Sequence, residues 1–420
     1  MNSRPSPTMD MPVTSSTLPV ILSRRRKRSL CRIGLSDKQT LGGIRRTLQE
    51  SSRALLDHGG GSVHTRYKGG RRMRRGVSIL ILAIAVLLSL SATGTPAPAG
   101  SGQPQFPPPG PKRKVVWAMP VAPPNVIHTA VALAKEFGFM DKFNIDVEIK
   151  NFEGSTRALT AAITGDVQLG YIDCLVAYGN GVPVVSFYGP TPKVGVVMVA
   201  RDPIKDIKDL KGKKLGMSSA PGGFIDRMNR AVLEAAGLRP QDVTIVQTTT
   251  AGRVPALVSG QTDTAVFHYE QASKVLRELK GVRVIYDLYK ALPNYQYHVV
   301  CGMRQFVQAN RELVSDFVAA TILTIRYAYT HRAETIRAAA KITGADERDV
   351  SYAYARIVTG CVWARNLGLD MNRIRWTIDF EHQGGVLRNT YNPEEAFDMG
   401  IANEALRKAG GAVPVPPGCF

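Results

Sequence analysis

An α/β fold in two lobes with mainly parallel sheets is the class this sequence predicts, on three observations. From Val115 to His268, short β-branched runs alternate with stretches of helical period. After Cys301 the pattern turns to helices alone. No Pro- or Gly-rich linker interrupts residues 200 to 310, so the lobes are expected to share crossing strands and a common cleft rather than stand in tandem.

The elements follow in order. Val115 to Met119 reads as a strand, His128 to Phe137 as a helix stopped by Gly138, and Ile145 to Lys150 as a strand. Ser155 is placed as the cap of a helix running to Thr164 and stopped by Gly165. Strands are expected at Val167 to Ile172, Val182 to Tyr188, Gly195 to Ala200, Val243 to Gln247 and Thr264 to His268, with a helix around Val254 to Ser259. Helices are expected at Asn310 to Thr330, Ala333 to Ile342, Glu347 to Val358, Met371 to Gln383 and Pro393 to Lys408. This late block is expected to pack back on the first lobe. The first lobe then comprises 113–200 and 300–410, the second 201–299, with crossing points near Val199 to Arg201 and Val300 to Gly302.

Lys208 to Val243 carries the most specific local signal. It reads as a turn, a strand at Lys214 to Met217, a polar loop at Ser218 to Gly223, and a helix from Phe224 to Ala236 ended by Gly237. Ser218, Ser219, Gly222 and Gly223 have little bulk, so a ligand can approach the backbone. Free N–H groups at the helix start favour a negative or electron-rich group there. The loop has neither the Lys of a phosphate-binding P-loop nor a G-x-G-x-x-G fingerprint. It is also read, with equal weight, as an ordinary strand–turn–helix connection.

At the start of the chain, Arg71 to Ala99 has the order of a secretory signal: a basic run, an apolar core from Val77 to Leu90, then small residues. The apolar core is shorter than the roughly 20 residues a spanning helix needs. Cleavage is expected at Ala97-Pro98-Ala99 or after Ala92-Thr93-Gly94, which places the mature protein in the periplasm. Residues 1–72 show no sustained apolar period, and Met73 is expected to be the true start. Residues 100–112 read as a Pro-rich linker. Of the net charge of +20, residues 1–99 hold +13, so the basicity lies outside the folding part and a nucleic-acid partner is not expected. The five Cys show no C-x-x-C pair and no His at metal spacing, so no metal or cofactor is expected; one disulfide among Cys174, Cys301, Cys361 and Cys419 is allowed, its pairing open, but free buried thiols are the expectation.

Four segments in order resemble the substrate-binding proteins of ABC importers, in the group of nitrate, alkanesulfonate, taurine and thiamine-pyrimidine-precursor binders. They are PNVIH at Pro124 with ALAKEFGFMDKFNIDVEI from Ala132, GSTRALTAAITGDVQLGYID from Gly154, DLKGKKLGMSSAPGGF from Asp209, and ALVSGQTDTAVFHYEQASK from Ala256. Gly223 departs from the hydroxyl residue common at its place in that group. The resemblance, covering Val115 to Leu406, implies a type II periplasmic binding-protein fold with ligand in the interlobe cleft. It also implies a monomer, an ABC permease and ATPase as partners, and no catalysis. A thiamine-pyrimidine synthase-like enzyme is kept as an alternative, as is a binding protein turned sensor.

Candidate ligand contacts lie where strands end and helices begin. They are Asn125, His128, Ser155, Thr156 and Asp173 from the first lobe. From the second come Ser218, Ser219, Gly222, Gly223, Phe224, His268 and Tyr269. Trp117 is weighed both as a pocket floor and as core. Ligand identity stays open between sulfonate, nitrate, carboxylate and pyrimidine.

Overall fold

The computed structural model describes residues 102–420. The expected signal and the extension before it lie outside the described residues. The described residues form two five-stranded sheets. The first has the order β2-β1-β3-β10-β4, from β1 (Arg113–Met119), β2 (Ile145–Asn151), β3 (Leu169–Gly170), β4 (Val184–Thr191) and β10 (His298–Met303). The second has the order β7-β6-β8-β5-β9, from β5 (Val196–Arg201), β6 (Lys214–Met217), β7 (Thr244–Gln247), β8 (Thr264–His268) and β9 (Val282–Asp287).

Each sheet is mixed, which corrects the mainly parallel expectation. β1 runs parallel to β2 and β3, and β6 parallel to β7 and β8. β10 and β5 run antiparallel to both their neighbours. The reason is topological. A helical crossover within one sheet returns a strand in the same direction. β5 and β10 instead arrive from the other sheet, and no crossover dictates their direction.

The chain passes between the sheets at residues 192–195 and 288–297, because β5 already belongs to the second sheet and β10 to the first. Both passages fall several residues before the expected points. Apolar continuity through Val199 and Val300 hid them, since strands buried on both faces carry no marker of which sheet they join. The two passages touch: Tyr297 N donates to Pro192 O at 3.1 Å.

Alternation along each central strand sends side chains to two cores. Val115, Trp117 and Met119 face one cluster, with Phe143, Val314 and Phe317, while Val116 and Ala118 face another, with Ala158, Ile374 and Ile378. Val197 and Val199 pack with Phe267 and Trp363, and Val196, Met198 and Ala200 with Leu215 and Met228. Trp117 is fully buried, stacked on Phe317 at 5.4 Å. It is core, and truncating it to Ala would cost about 3–5 kcal/mol.

The first sheet carries α1 (Ala130–Glu136), α2 (Phe139–Lys142), α3 (Ser155–Ile163) and α4 (Cys174–Gly179). The second carries α5 (Phe224–Ala235), α6 (Arg253–Val258), α7 (Tyr269–Glu278) and α8 (Leu288–Ala291). Six helices follow: α9 (Arg304–Ala309), α10 (Arg311–Thr330), α11 (Arg332–Thr343), α12 (Glu347–Thr359), α13 (Met371–Gln383) and α14 (Met399–Lys408). The expected helix from Pro393 is only a turn of 3-10 helix at Pro393–Glu395 before α14.

This block serves both sheets, not the first alone. Val350 and Ile357 of α12 share a core with Phe267 and Ala272 of the second sheet's half. Arg277 of α7 pairs with Asp349 of α12 at 2.7 Å. Ile374 and Ile378 of α13 face the first half, while Trp376 and Phe380 lie against the second. Helical period alone shows that a helix has apolar residues on two sides, not what each side meets.

Residues 103–111 have no regular structure but lie against the folded body. Gln105 N donates to Lys408 O at 2.7 Å, and Asn144 Nδ2 to Pro108 O at 2.8 Å. Among the described residues there are two disulfides, Cys174–Cys301 and Cys361–Cys419, which corrects the expectation of free thiols: residues far apart in sequence are brought within bonding distance only by the tertiary packing.

Candidate functional site

A cavity of about 560 Å³ opens between the two sheets, within the size range of small-molecule sites. Its walls come from the ends of β1, β3 and β6, the passage into β10, the loops before α3, α5 and α6, and one face of α13.

One wall is a column of rings. Tyr171 stacks on His298 at 4.4 Å, His298 on Tyr297 at 3.6 Å, and Tyr297 meets Phe224 at 4.5 Å. His128 sits 4.8 Å from His298 and 5.1 Å from His268. Burial holds all three imidazoles neutral: His128 is pushed down to about 3, and His268 and His298 well below the usual range. Neutral imidazoles each offer one donor and one acceptor. Nδ1 of His128 and Nδ1 of His298 are buried without a partner. Among the described residues, no group of three or more His, Cys, Asp or Glu is arranged to hold a metal ion.

A second part of the wall is charged. Arg227 of α5 reaches across to Asp173, with Nη1–Oδ2 at 3.0 Å and Nη2–Oδ1 at 3.1 Å. Its Nε lies 2.9 Å from Oε1 of Glu381 on α13. Tyr295 donates to that same oxygen at 2.5 Å, while Oε2 has no partner. Burial, opposed by Arg227, raises the Glu381 carboxyl to about 7. Asp173 has left-handed backbone, φ 59°, a strained conformation for a non-glycine residue that persists only where its surroundings enforce it. Arg253 of α6, 2% exposed, lines the cavity beside His268 and residues 248–250.

The residues expected from sequence divide. His128, Ser155, Thr156, Asp173, Ser218, Ser219, Gly223, Phe224 and His268 line the cavity. Asn125, Gly222 and Tyr269 do not. Asn125 donates to Glu270 Oε1 at 2.5 Å, bracing the start of the 3-10 turn Val126–His128 against α7. Tyr269 faces away into a core, with Arg356 over its ring at 4.8 Å. Gly222 turns the loop at φ +76° and borders a neighbouring recess. Ser155 is not the cap of α3, which is Gly154; its hydroxyl donates to Asp173 Oδ2 at 3.2 Å.

The polar loop is largely self-satisfied. Asp226, in the first turn of α5, takes the Gly222 N–H at 2.8 Å, and Ser219 Oγ accepts from Asp226 N at 3.1 Å. An acidic side chain of the chain itself thus occupies part of the expected anion position.

Sequence reasoning missed Tyr171, Arg227, Arg253, Tyr297, His298 and Glu381. His298 was visible only as one of seven scattered histidines, and its convergence with His128 and His268 is purely tertiary. Arg227 and Arg253 read as ordinary charged faces of helices.

Two five-stranded α/β lobes with a cavity between them define the class: this is a periplasmic binding-protein fold. The chain belongs to the NMT1/THI5-like family, which matches residues 125–335. It is similar to a Haemophilus influenzae protein assigned to thiamine biosynthesis, at 29% identity over 48% of this chain and 63% of that one. It is also similar to the 4-amino-5-hydroxymethyl-2-methylpyrimidine phosphate synthase of Schizosaccharomyces pombe, at 28% identity over 32% of this chain and 40% of the other. The chain thus spans less than two thirds of these relatives. Among solved structures, it superposes on the periplasmic aliphatic sulphonate-binding protein of Escherichia coli with a TM-score of 0.54 at 18% identity, covering 68% of this chain and 97% of that one. The nitrate-binding protein of Synechocystis PCC 6803 gives 0.57 at 13% identity, covering 70% and 89%.

Proposed function

We propose that this chain is a solute-binding protein that captures a small flat ring molecule in the interlobe cavity. The column of Tyr171, His298, Tyr297 and Phe224, with neutral imidazoles whose Nδ1 atoms lack partners, carries this reading. Ring faces favour a stacked planar guest. The free imidazole nitrogens supply donors or acceptors in its plane without imposing a charge. Family membership and a relative assigned to thiamine biosynthesis support a heteroaromatic guest. Export to the periplasm and delivery to an ABC permease and ATPase complete the proposal, supported by the fold shared with periplasmic binders.

The test is a calorimetric and thermal-shift panel of aminopyrimidines and pyridines against taurine, an alkanesulfonate and nitrate. A ring ligand at 100 times its Kd should stabilise the fold by about 2.7 kcal/mol. Tyr297→Ala should weaken it by about 1–2 kcal/mol through lost stacking. Binding of the acyclic anions with no response to any ring would overturn the ring reading. The synthase relative supports a second reading, a catalyst acting on the same guest. Mass spectrometry of recovered ligand separates the two, since a binding protein returns it unchanged.

A further inference from the structure

Arg253 is a guanidinium buried in the cavity wall without a carboxylate to answer it. It is 2% exposed, and among the described residues no ion pair within 4.0 Å involves it. Its contacts are three: Nη1 donates to Val266 O at 3.1 Å, Nε to Thr250 O at a long 3.5 Å, and Nη2 meets His268 Nδ1 at 3.5 Å. A guanidinium has five N–H donors, so at least two are unspent. Two residues before Thr250, Thr248 Oγ1, also lining the cavity, is buried without a partner. The acids that act on Arg253 from farther off are Glu270, already bound by Asn125, and Glu153. Burial outweighs both and pulls the Arg253 guanidinium down to about 10, so it stays charged at neutral pH but under-compensated.

A buried cation left this way is costly unless a ligand supplies the missing charge. At the polar loop Ser218–Gly223, Asp226 already takes the Gly222 N–H, and the loop offers no cationic side chain; Ser218 Oγ is its one buried hydroxyl without a partner. We propose that Arg253, with Thr248, is the specificity-determining anion subsite of the cavity, selecting guests that carry a carboxylate or sulfonate on the ring. This rests on the ring-binding reading but makes a separate claim about charge. A planar fork also favours a two-oxygen acid over a lone halide.

The experiment uses the mature protein and three probes: pyridine-3-carboxylate, its uncharged carboxamide, and methanesulfonate, each titrated calorimetrically at low and high salt. The wild-type protein should bind the carboxylate at least about tenfold more tightly than the carboxamide, the scale of one charge-assisted contact. Arg253→Gln should erase that preference, and Arg253→Lys should restore part of it. If carboxylate and carboxamide bind wild type equally, the subsite is wrong while ring binding stands. If methanesulfonate binds in an Arg253-dependent way and the carboxamide does not bind at all, the subsite stands and the ring reading falls. If no probe binds, both fall. The acid-over-amide preference is read on wild type alone, so the claim survives a variant that fails to fold.

Discussion

Asp173 and Arg227 clasp each other across the cleft through two side-by-side contacts, at 3.0 and 3.1 Å. Asp173 stands at the end of the first sheet's β3, and Arg227 on the helix that follows the second sheet's β6, so the pair ties the two halves directly. Asp173 holds its strained backbone conformation at this contact. Breaking a buried pair by removing one partner leaves the other charge stranded. Asp173 is about a quarter exposed and Glu381 remains beside Arg227, which reduces the penalty. Asp173→Asn is expected to lower the unfolding free energy by about 2–3 kcal/mol in urea titration. Its ligand-free radius of gyration by small-angle scattering should also rise. Unchanged values of both would show that the clasp holds nothing.

Acid should weaken the protein. The imidazoles of His128, His268 and His298 have depressed folded pKa values, so the unfolded chain takes up their protons first. Their contribution is fully present above about 6.5 and is lost as pH falls below it, by up to about 1.4 kcal/mol per unit for each ring. Glu381 works the other way. Its folded pKa is raised to about 7, so its contribution is present below the ordinary carboxylate range and is lost as pH rises toward 7. Glu270, also raised by burial, acts in the same direction as Glu381, and three rings outweigh two carboxyls. Urea titrations at stepped pH should show stability falling by about 2 kcal/mol per unit below roughly pH 5.5. His298→Gln should make the slope shallower; a slope of zero or opposite sign in wild type would contradict the neutral-imidazole cluster.

Cys174–Cys301 joins α4 to β10 across a sequence separation of 127 residues, at the cavity wall. Closing so long a loop restricts the unfolded chain strongly, and such bonds typically contribute 2–4 kcal/mol. Reductant, or paired Cys174→Ser and Cys301→Ser changes, should lower the unfolding free energy by about 3 kcal/mol. Thiol titration of the unfolded, unreduced protein should find these two cysteines blocked; two free thiols there would refute the bond.

Ser219 and Gly222 should behave as structural residues. Ser219→Ala removes the acceptor for Asp226 N and should cost about 1 kcal/mol of stability, as loss of a helix cap does, with ligand affinity little changed. At Gly222 a Cβ meets nothing within 4 Å, but φ +76° strains any other residue. Gly222→Val should therefore destabilise by about 1–2 kcal/mol or more without filling ligand space. Abolished binding with unchanged stability would restore the loop as a ligand cradle.

The sequence by itself determined the α/β class, the position of most strands and the late helices to within a few residues. It also located the loops that face the cleft, because period and turn residues are local properties. His128, Phe224 and His268 were legible as strand-end and helix-start residues. The three-dimensional structure alone decided which sheet β5 and β10 join, since fully apolar strands such as VVMVA carry no face marker. It alone decided that α12 and α13 span both halves. It also set Tyr171 beside Tyr297 and His298, from 126 and 127 residues away in the chain, and Arg227 against Asp173 and Glu381. Such meetings depend on packing between distant elements, and no residue's own neighbours in sequence record them.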